Sequence, residues 1–264
     1  MGMMGFMGGK GSAGGDAAET TAFLARTTGL DSTHTDAYKA LINGLVADGD
    51  FASFDAIYMF ATQDSTTARL NLCSTSYTAT NNGSTFTADA GYAGPYVDTT
   101  VDPSATTQFT QNSAHFSGWW KSASPSNSGG RHGFLDAGAT KGAYITPGAS
   151  AANAAANINN AFDNQVSSSG TGHQQKHIIG NRSASNARQI FINGVQSASD
   201  SQASTTIPTG LSFWINSRNF GGGTNQSTDA QCMMATIGAS LSGTAAARVY
   251  ARFHTYLQTI AGIA

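Results

Sequence analysis

The stretch HIIGNRSASNARQIFINGVQ (His177–Gln196) carries the pattern that decides how this chain folds. Two runs of β-branched and aromatic residues, HIIGN and RQIFI, flank a polar turn around Ser183–Asn186. Asn193-Gly194 follows, a pair that turns a chain tightly because both residues tolerate positive φ. This reads as a hairpin with further alternation after it. Working outward, the same texture runs from Phe51 to about Ile237. Asp55–Thr62 (DAIYMFAT), Phe109–Trp120 and Gly142–Thr146 set aromatic or β-branched residues between Gly, Ser, Asn and Pro. Short strands with a turn every ten residues or so predict an antiparallel sandwich rather than alternating β/α units. The alanine-rich stretch 150–157 fits either a helical turn or a loop.

Helical signals flank this β-rich body. Thr20–Arg26 makes a short turn of helix closed by Gly29. A longer helix is expected to start near Thr35, with Asp36 in its first turn where a carboxylate suits the dipole. Ala37, Tyr38, Leu41, Ile42, Leu45 and Val46 give it one apolar stripe, and Gly49 is placed to end it. At the other end, Ser242 or Thr244 can cap a final helix whose stripe is Val249, Tyr250, Phe253, Tyr256, Leu257 and Ile260. That helix is expected to cover one edge or end of the sandwich. The organisation read from sequence is therefore an arm (1–15), a helical segment (16–50) and a sandwich closed by a helix (51–264).

Composition narrows the function classes. Charged residues are 11% of the 264, against about 25% in a typical soluble domain. The 14 Phe, 8 Tyr and 3 Trp do not fit a disordered chain. A net charge of −2 provides no basic field for nucleic acid. No apolar run approaches the ~20 residues of a membrane span, and no secretory signal is visible. Glu19 is the single glutamate, so enzymes built on paired glutamates are excluded. Cys73 and Cys232 lie too far apart for a zinc-knuckle spacing and read as free thiols.

The first fifteen residues, MGMMGFMGGKGSAGG, hold seven Gly and four Met. Glycine at that density does not hold a helix. Met side chains adapt to irregular grooves on a partner, so Met1, Met3, Met4, Phe6 and Met7 are expected to form an attachment arm. Gly9, Gly11 and Gly14 spell GxGxxG with no strand before them, which makes the match accidental. Lys10 is not a P-loop lysine, since Met4 and Gly11 occupy positions that need Gly and Ser/Thr.

Three segments carry a resemblance. IFINGVQ (Ile190–Gln196) resembles a strand-turn of laminin-G-like, concanavalin-A-like jelly rolls. ATIGASLSGTAAARVYARF (Ala235–Phe253) resembles the closing strand and helix of the same family. Thr20–Thr62 resembles a segment found ahead of such jelly rolls in bacteriophage and prophage virion proteins. The resemblance implies a mainly β, antiparallel jelly-roll sandwich serving as a structural virion component: a tail fibre, spike or capsid decoration, assembled in the host cytoplasm. Its implied partners are other virion proteins, reached through the arm, and a host-surface polysaccharide. An arm on a symmetric particle implies a homo-oligomer, trimers being common among phage fibres.

No catalytic residue is singled out. Glycosidases on this fold use glutamates in a strand motif, and none follows Glu19. No G-x-S-x-G elbow occurs. Asp98 and Asp102 read as loop carboxylates that accept backbone amides. His173 and His177 have metal-like i, i+4 spacing but flank a strand start, and read as an exposed polar pair. The family often holds calcium near the rim. No acidic cluster here matches that site, while loop carbonyls leave a structural calcium open. Trp119 and Trp120 must point to opposite faces of one strand. Arg218, Asn219 and Phe220 in the loop 216–226, Arg131-His132 and Asn181-Arg182 could each meet a sugar, and none stands out. The competing expectations are a polysaccharide depolymerase on this fold and a free lectin-like module.

Overall fold

The structure is a computed structural model describing residues 15–121, 131–150, 153–169 and 175–264. Met1, Met3, Met4, Phe6 and Met7 of the expected arm, and His173, lie outside the described residues. Helices α1 (Ala18–Leu24) and α2 (Ser32–Ala47) come first. Strands β1 (Phe54–Met59), β2 (Thr80–Asn81), β3 (Thr85–Thr87), β4 (Gly91–Ala93), β5 (Val97–Asp98) and β6 (Ala114–Trp120) follow. Next come β7 (His132–Leu135), β8 (Gly142–Ser150), β9 (Asn153–Asn160), β10 (Val166–Ser168), β11 (Lys176–Ala184) and β12 (Ala187–Ile192). The chain ends with β13 (Val195–Asp200), β14 (Trp214–Ile215), β15 (Arg218–Phe220), β16 (Gly223–Asn225), β17 (Cys232–Gly238) and helix α3 (Gly243–Ala261).

These elements make three layers: helices, a first sheet and a second sheet. The first sheet runs β13-β12-β11-β6-β17-β4-β3, with β1 beside β17. The second runs β10-β9-β8-β7-β14-β5-β2, with β15 and β16 attached at β7. Pairing is antiparallel apart from β15 on β7 among the described strands. This is the jelly-roll sandwich expected from the sequence.

The sandwich core holds Tyr58, Phe60, Phe116, Trp120, Phe134, Ile178, Phe213 and Ile237. A second core lies on the far side of the first sheet. There Ile57, Trp119, Ile179, Phe191 and Met234 meet Tyr38, Leu41, Val249, Phe253 and Leu257 of the helices. Trp119 and Trp120 thus serve one core each, as strand alternation requires. Because β6 and β17 are buried along their whole length, AHFSGWW and CMMATIG show no polar face.

Four local expectations need correction or refinement. Helix α2 starts at Ser32, not near Thr35, because Asp31 caps it by accepting from the His34 amide at 2.8 Å. Ser242 caps α3, and that helix lies across the face of the first sheet rather than at an edge. Arg248 and Arg252 tie it to Asp50 and Asp48 just past α2. In the alanine-rich stretch 150–157, the part 153–157 is neither helix nor loop. It enters β9, where the sheets approach so closely that a Cβ on Gly180 of β11 would stand 2.7 Å from the Ala156 Cβ. Small side chains are what that gap accepts. Asn193 (φ +50°) and Gly194 (φ +78°) form the expected tight turn between β12 and β13.

Candidate functional site

Most polar residues singled out in the sequence are structural. Asn181 is fully buried; its carboxamide donates to the Leu241 carbonyl and accepts from the Leu241 amide, fixing the entry to α3. Arg182, also buried, donates to the carbonyls of Ile158, Ala184, Ser185 and Gln202. His177 is not exposed. It lies wholly buried under α3, its Nε2 3.1 Å from Ser117 Oγ and its ring stacked on Trp119. Asp98 accepts the Thr100 amide, and Asp102 accepts those of Ser104 and Gly210. Cys73 and Cys232 are unbridged. Among the described residues no three His, Cys, Asp or Glu gather as a metal site. No described helix is long and apolar enough to cross a membrane.

Two residues that the sequence placed in separate loops come together. Residues 216–226 form β15 and β16 rather than an open loop, and Arg218 and Asn219 are each only 3% exposed. On β7, His132 packs on Trp120 and Phe134 enters the sandwich core, so Gly133 between them faces outward. Gly133 lies opposite Arg218 of β15 on one side and Tyr144 of β8 on the other. A residue with a Cβ would not fit at Gly133: its φ is +131°, and the Cβ would meet the Ala143 carbonyl oxygen at 2.2 Å. Across Gly133, the Arg218 guanidinium lies 5.2 Å from the Tyr144 ring centre. It is also 5.0 Å from Phe162 and 5.6 Å from Phe220. Arg131, just before β7, lies 5.2 Å from Tyr144 and 4.6 Å from Phe162. Two guanidiniums therefore share the same two rings.

Their hydrogen bonding is incomplete. Arg218 Nη2 donates to Asn225 Oδ1 at 2.6 Å, and Arg131 Nη2 stands 3.8 Å from the largely exposed Asp163 carboxylate. Nε and Nη1 of both arginines are buried with no partner among the described residues. Burial first, and the neighbouring Arg131 charge second, bring Arg218 down to about 10. Beside Arg218 opens a pocket of about 260 Å³ lined by Leu135, Ala139, Phe162, Phe220, Asn225 and Gln226. Further along this sheet, Tyr96, just before β5, stacks on Trp214 of β14 at 4.0 Å. The arrangement offers apolar ring surface, amide groups and fixed cationic donors in one place. Sequence reasoning named Arg131, Arg218 and Phe220 but missed Tyr144, Phe162 and Asn225. The outward-facing Gly133 between two inward residues was the one local signal for this crowding.

No protein-family model and no curated protein sequence matches this chain. Among solved structures it is similar to domain 4 of an extracellular GH43 arabinanase from Geobacillus stearothermophilus, in complex with arabinotriose. That match has 13% identity over 75% of this chain and 98% of the other, with a TM-score of 0.49. The binding domain of botulinum neurotoxin serotype D matches at 11% identity over 76% of this chain and 52% of its own, TM-score 0.49. The Ruminococcus gnavus IT-sialidase CBM40, bound to α2,3 sialyllactose, matches at 13% identity over 52% and 82%, TM-score 0.39. The match to NanB sialidase from Streptococcus pneumoniae covers 23% of that chain. At these identities the likeness is one of strand arrangement, not of residues.

Proposed function

We propose that this chain is a carbohydrate-binding jelly-roll module that holds its ligand without cleaving it, on the outer face of the second sheet. One observation carries the reading: the pocket beside Arg218, where Phe162 and Phe220 stand next to Asn225 and Gln226. Sugars present an apolar ring face to aromatic side chains and hydroxyls to planar polar groups. The pocket is smaller than the roughly 300–1,000 Å³ of drug-sized sites, which suits a terminal sugar. Binding rather than hydrolysis is favoured by the carboxylates nearby. Asp136 is taken up by the amides of Thr140 and Lys141 of its own turn, leaving Asp163 beside the arginines. Glycoside cleavage uses two carboxylates. A glycan array probed with the wild type and with Phe162→Ala/Phe220→Ala tests the reading. The wild type should retain a defined set of glycans and the variant should lose them; an empty array, or an unchanged variant, would sink it.

The layering adds a polarity to this module. Gly15 and Asp16 lead into α1 in the helical layer, with both sheets between them and the face that carries the pocket. We propose that the residues ahead of Asp16 anchor the module to a larger assembly, the virion particle implied by the resemblance of Thr20–Thr62, with the pocket facing away. Full-length protein and a form starting at Asp16 would be sedimented with particles lacking this protein. Only the full-length form should travel with them; equal behaviour of the two forms would remove the anchor.

A further inference from the structure

Resting on the carbohydrate reading above, we infer that the sugar held beside Arg218 bears a carboxylate, gripped by the paired guanidiniums of Arg131 and Arg218. The structure leaves Nε and Nη1 of both side chains buried without an acceptor among the described residues. A guanidinium does not shed its proton at ordinary pH, so these donors cannot be silenced by neutralisation. Leaving them unmade carries the full desolvation penalty of each group. The two charges also repel each other across shared rings, and Asp163, at 3.8 Å from Arg131 and 68% exposed, offsets little of that. An arrangement this costly in the free protein is repaired when an anion with at least two acceptor oxygens arrives.

The rings make the grip selective. Tyr144 and Phe162 lie against both guanidiniums, so their free donors are placed before the ligand enters. Nε and Nη1 stand on different edges of one guanidinium, so a carboxylate meets the pair by accepting from both arginines, one oxygen to each. Hydroxyls of a neutral sugar can accept single bonds but leave both charges uncompensated. Phe162 and Phe220 then lie beside Arg218 to receive the ring that carries the carboxylate.

The test uses the full chain, with the arginine Nε–Hε signals followed by NMR at constant ionic strength. The probes are the methyl glycosides of glucuronic, galacturonic and N-acetylneuraminic acids, methyl glucoside, glucose 6-sulfate, sodium acetate and sodium sulfate. At least one acidic glycoside should shift the Arg131 and Arg218 signals saturably, while methyl glucoside at the same concentration leaves them in place. Arg218→Lys keeps the charge but loses the planar set of donors, and should weaken that binding by roughly tenfold with an unchanged unfolding midpoint. Methyl glucoside binding as tightly as the acids would overturn the carboxylate while leaving the carbohydrate reading intact. Acetate or sulfate binding as tightly as any glycoside would overturn the sugar itself. A response confined to glucose 6-sulfate, or none to any probe, would also overturn the inference.

Discussion

Arg182 and Arg188, on the hairpin β11–β12, and Arg131 and Arg218, on the outer face of the second sheet, are all deeply or largely buried, yet the protein treats the two pairs differently. Arg188 makes a bidentate pair with Asp200 at 2.9 and 2.6 Å and donates to Asn157 Oδ1 and the Asn164 carbonyl. Arg182 binds four carbonyls and keeps only Nη2 without a partner among the described residues. Both are staples across the open edge of the sandwich. Arg131 and Arg218 each leave two of three guanidinium nitrogens unmatched among the described residues, and their charges repel. Arg188 and most of Arg182 are satisfied from within the chain, whereas most donors of Arg131 and Arg218 are not satisfied among the described residues. The same contrast separates the two outer faces. The first sheet's face is closed by helices, and its polar atoms form a chain from His177 through Ser117 and Thr236 to His115. The second sheet's face keeps its strongest donors unspent.

The largest effect expected is acid unfolding through the buried imidazoles of the two cores. Burial holds His115 down to about 4, and His132 and His177 down to about 3. These lie below the unfolded value near 6.5, so the unfolded chain takes up protons first as pH falls. Their contribution to stability is complete above about pH 6.5 and is lost toward the folded values. With three imidazoles the slope approaches about 4 kcal/mol per pH unit around pH 5. Urea midpoints at pH 7, 6 and 5 should fall steeply, and a flat profile would show that these rings are not shielded.

Next in size is Arg188→Met, which strands the Asp200 carboxylate and the Asn157 and Asn164 oxygens. A loss of about 3 kcal/mol is expected, toward the lower end for a buried pair because Asp200 keeps some exposure. Arg218→Met sharpens the comparison from the other side. It removes a charge that repels Arg131 and gives up one good hydrogen bond, to Asn225. Stability within about 1 kcal/mol of wild type, or above it, is expected in the same urea titration. Equal losses for the two substitutions would erase the distinction between staple and site.

The smallest effect concerns His34, at the start of α2. Burial acts to lower it, but the Asp31 and then the Asp89 hydrogen bonds, each 2.8 Å, outweigh that and raise it. The sign is opposite to that of the three core histidines. The ion pairs are fully present below about pH 6.5 and are lost as pH rises through the raised folded value. The midpoint gap between wild type and His34→Gln should therefore shrink from pH 6 to pH 9; a gap that grows would reverse the assignment.

Sequence reading located elements better than it located surroundings. The Asn193-Gly194 turn, a cap for α3 at Ser242 or Thr244 and the split of Trp119 from Trp120 depend on neighbours in the chain, and each was legible. The alanine-rich strand β9 was not, because its reason is the nearness of Gly180 on another sheet. The Asp31 cap was passed over in favour of Thr35 because several polar residues precede the apolar stripe, and only the folded chain shows which one accepts the amide. Arg131, Arg218 and Phe220 were visible as polar or aromatic positions, but so were Asn181, Arg182 and His177, which proved to be internal.

By itself, then, the sequence determined the sandwich class, the helical flanks and the lack of paired glutamates, because periodicity, turn chemistry and composition are properties of neighbouring residues. Only the tertiary structure decided which face the helices close, and which arginines find acceptors within the chain. Those outcomes depend on strands far apart in sequence being laid side by side, with Gly133 of β7 standing between Arg218 and Tyr144.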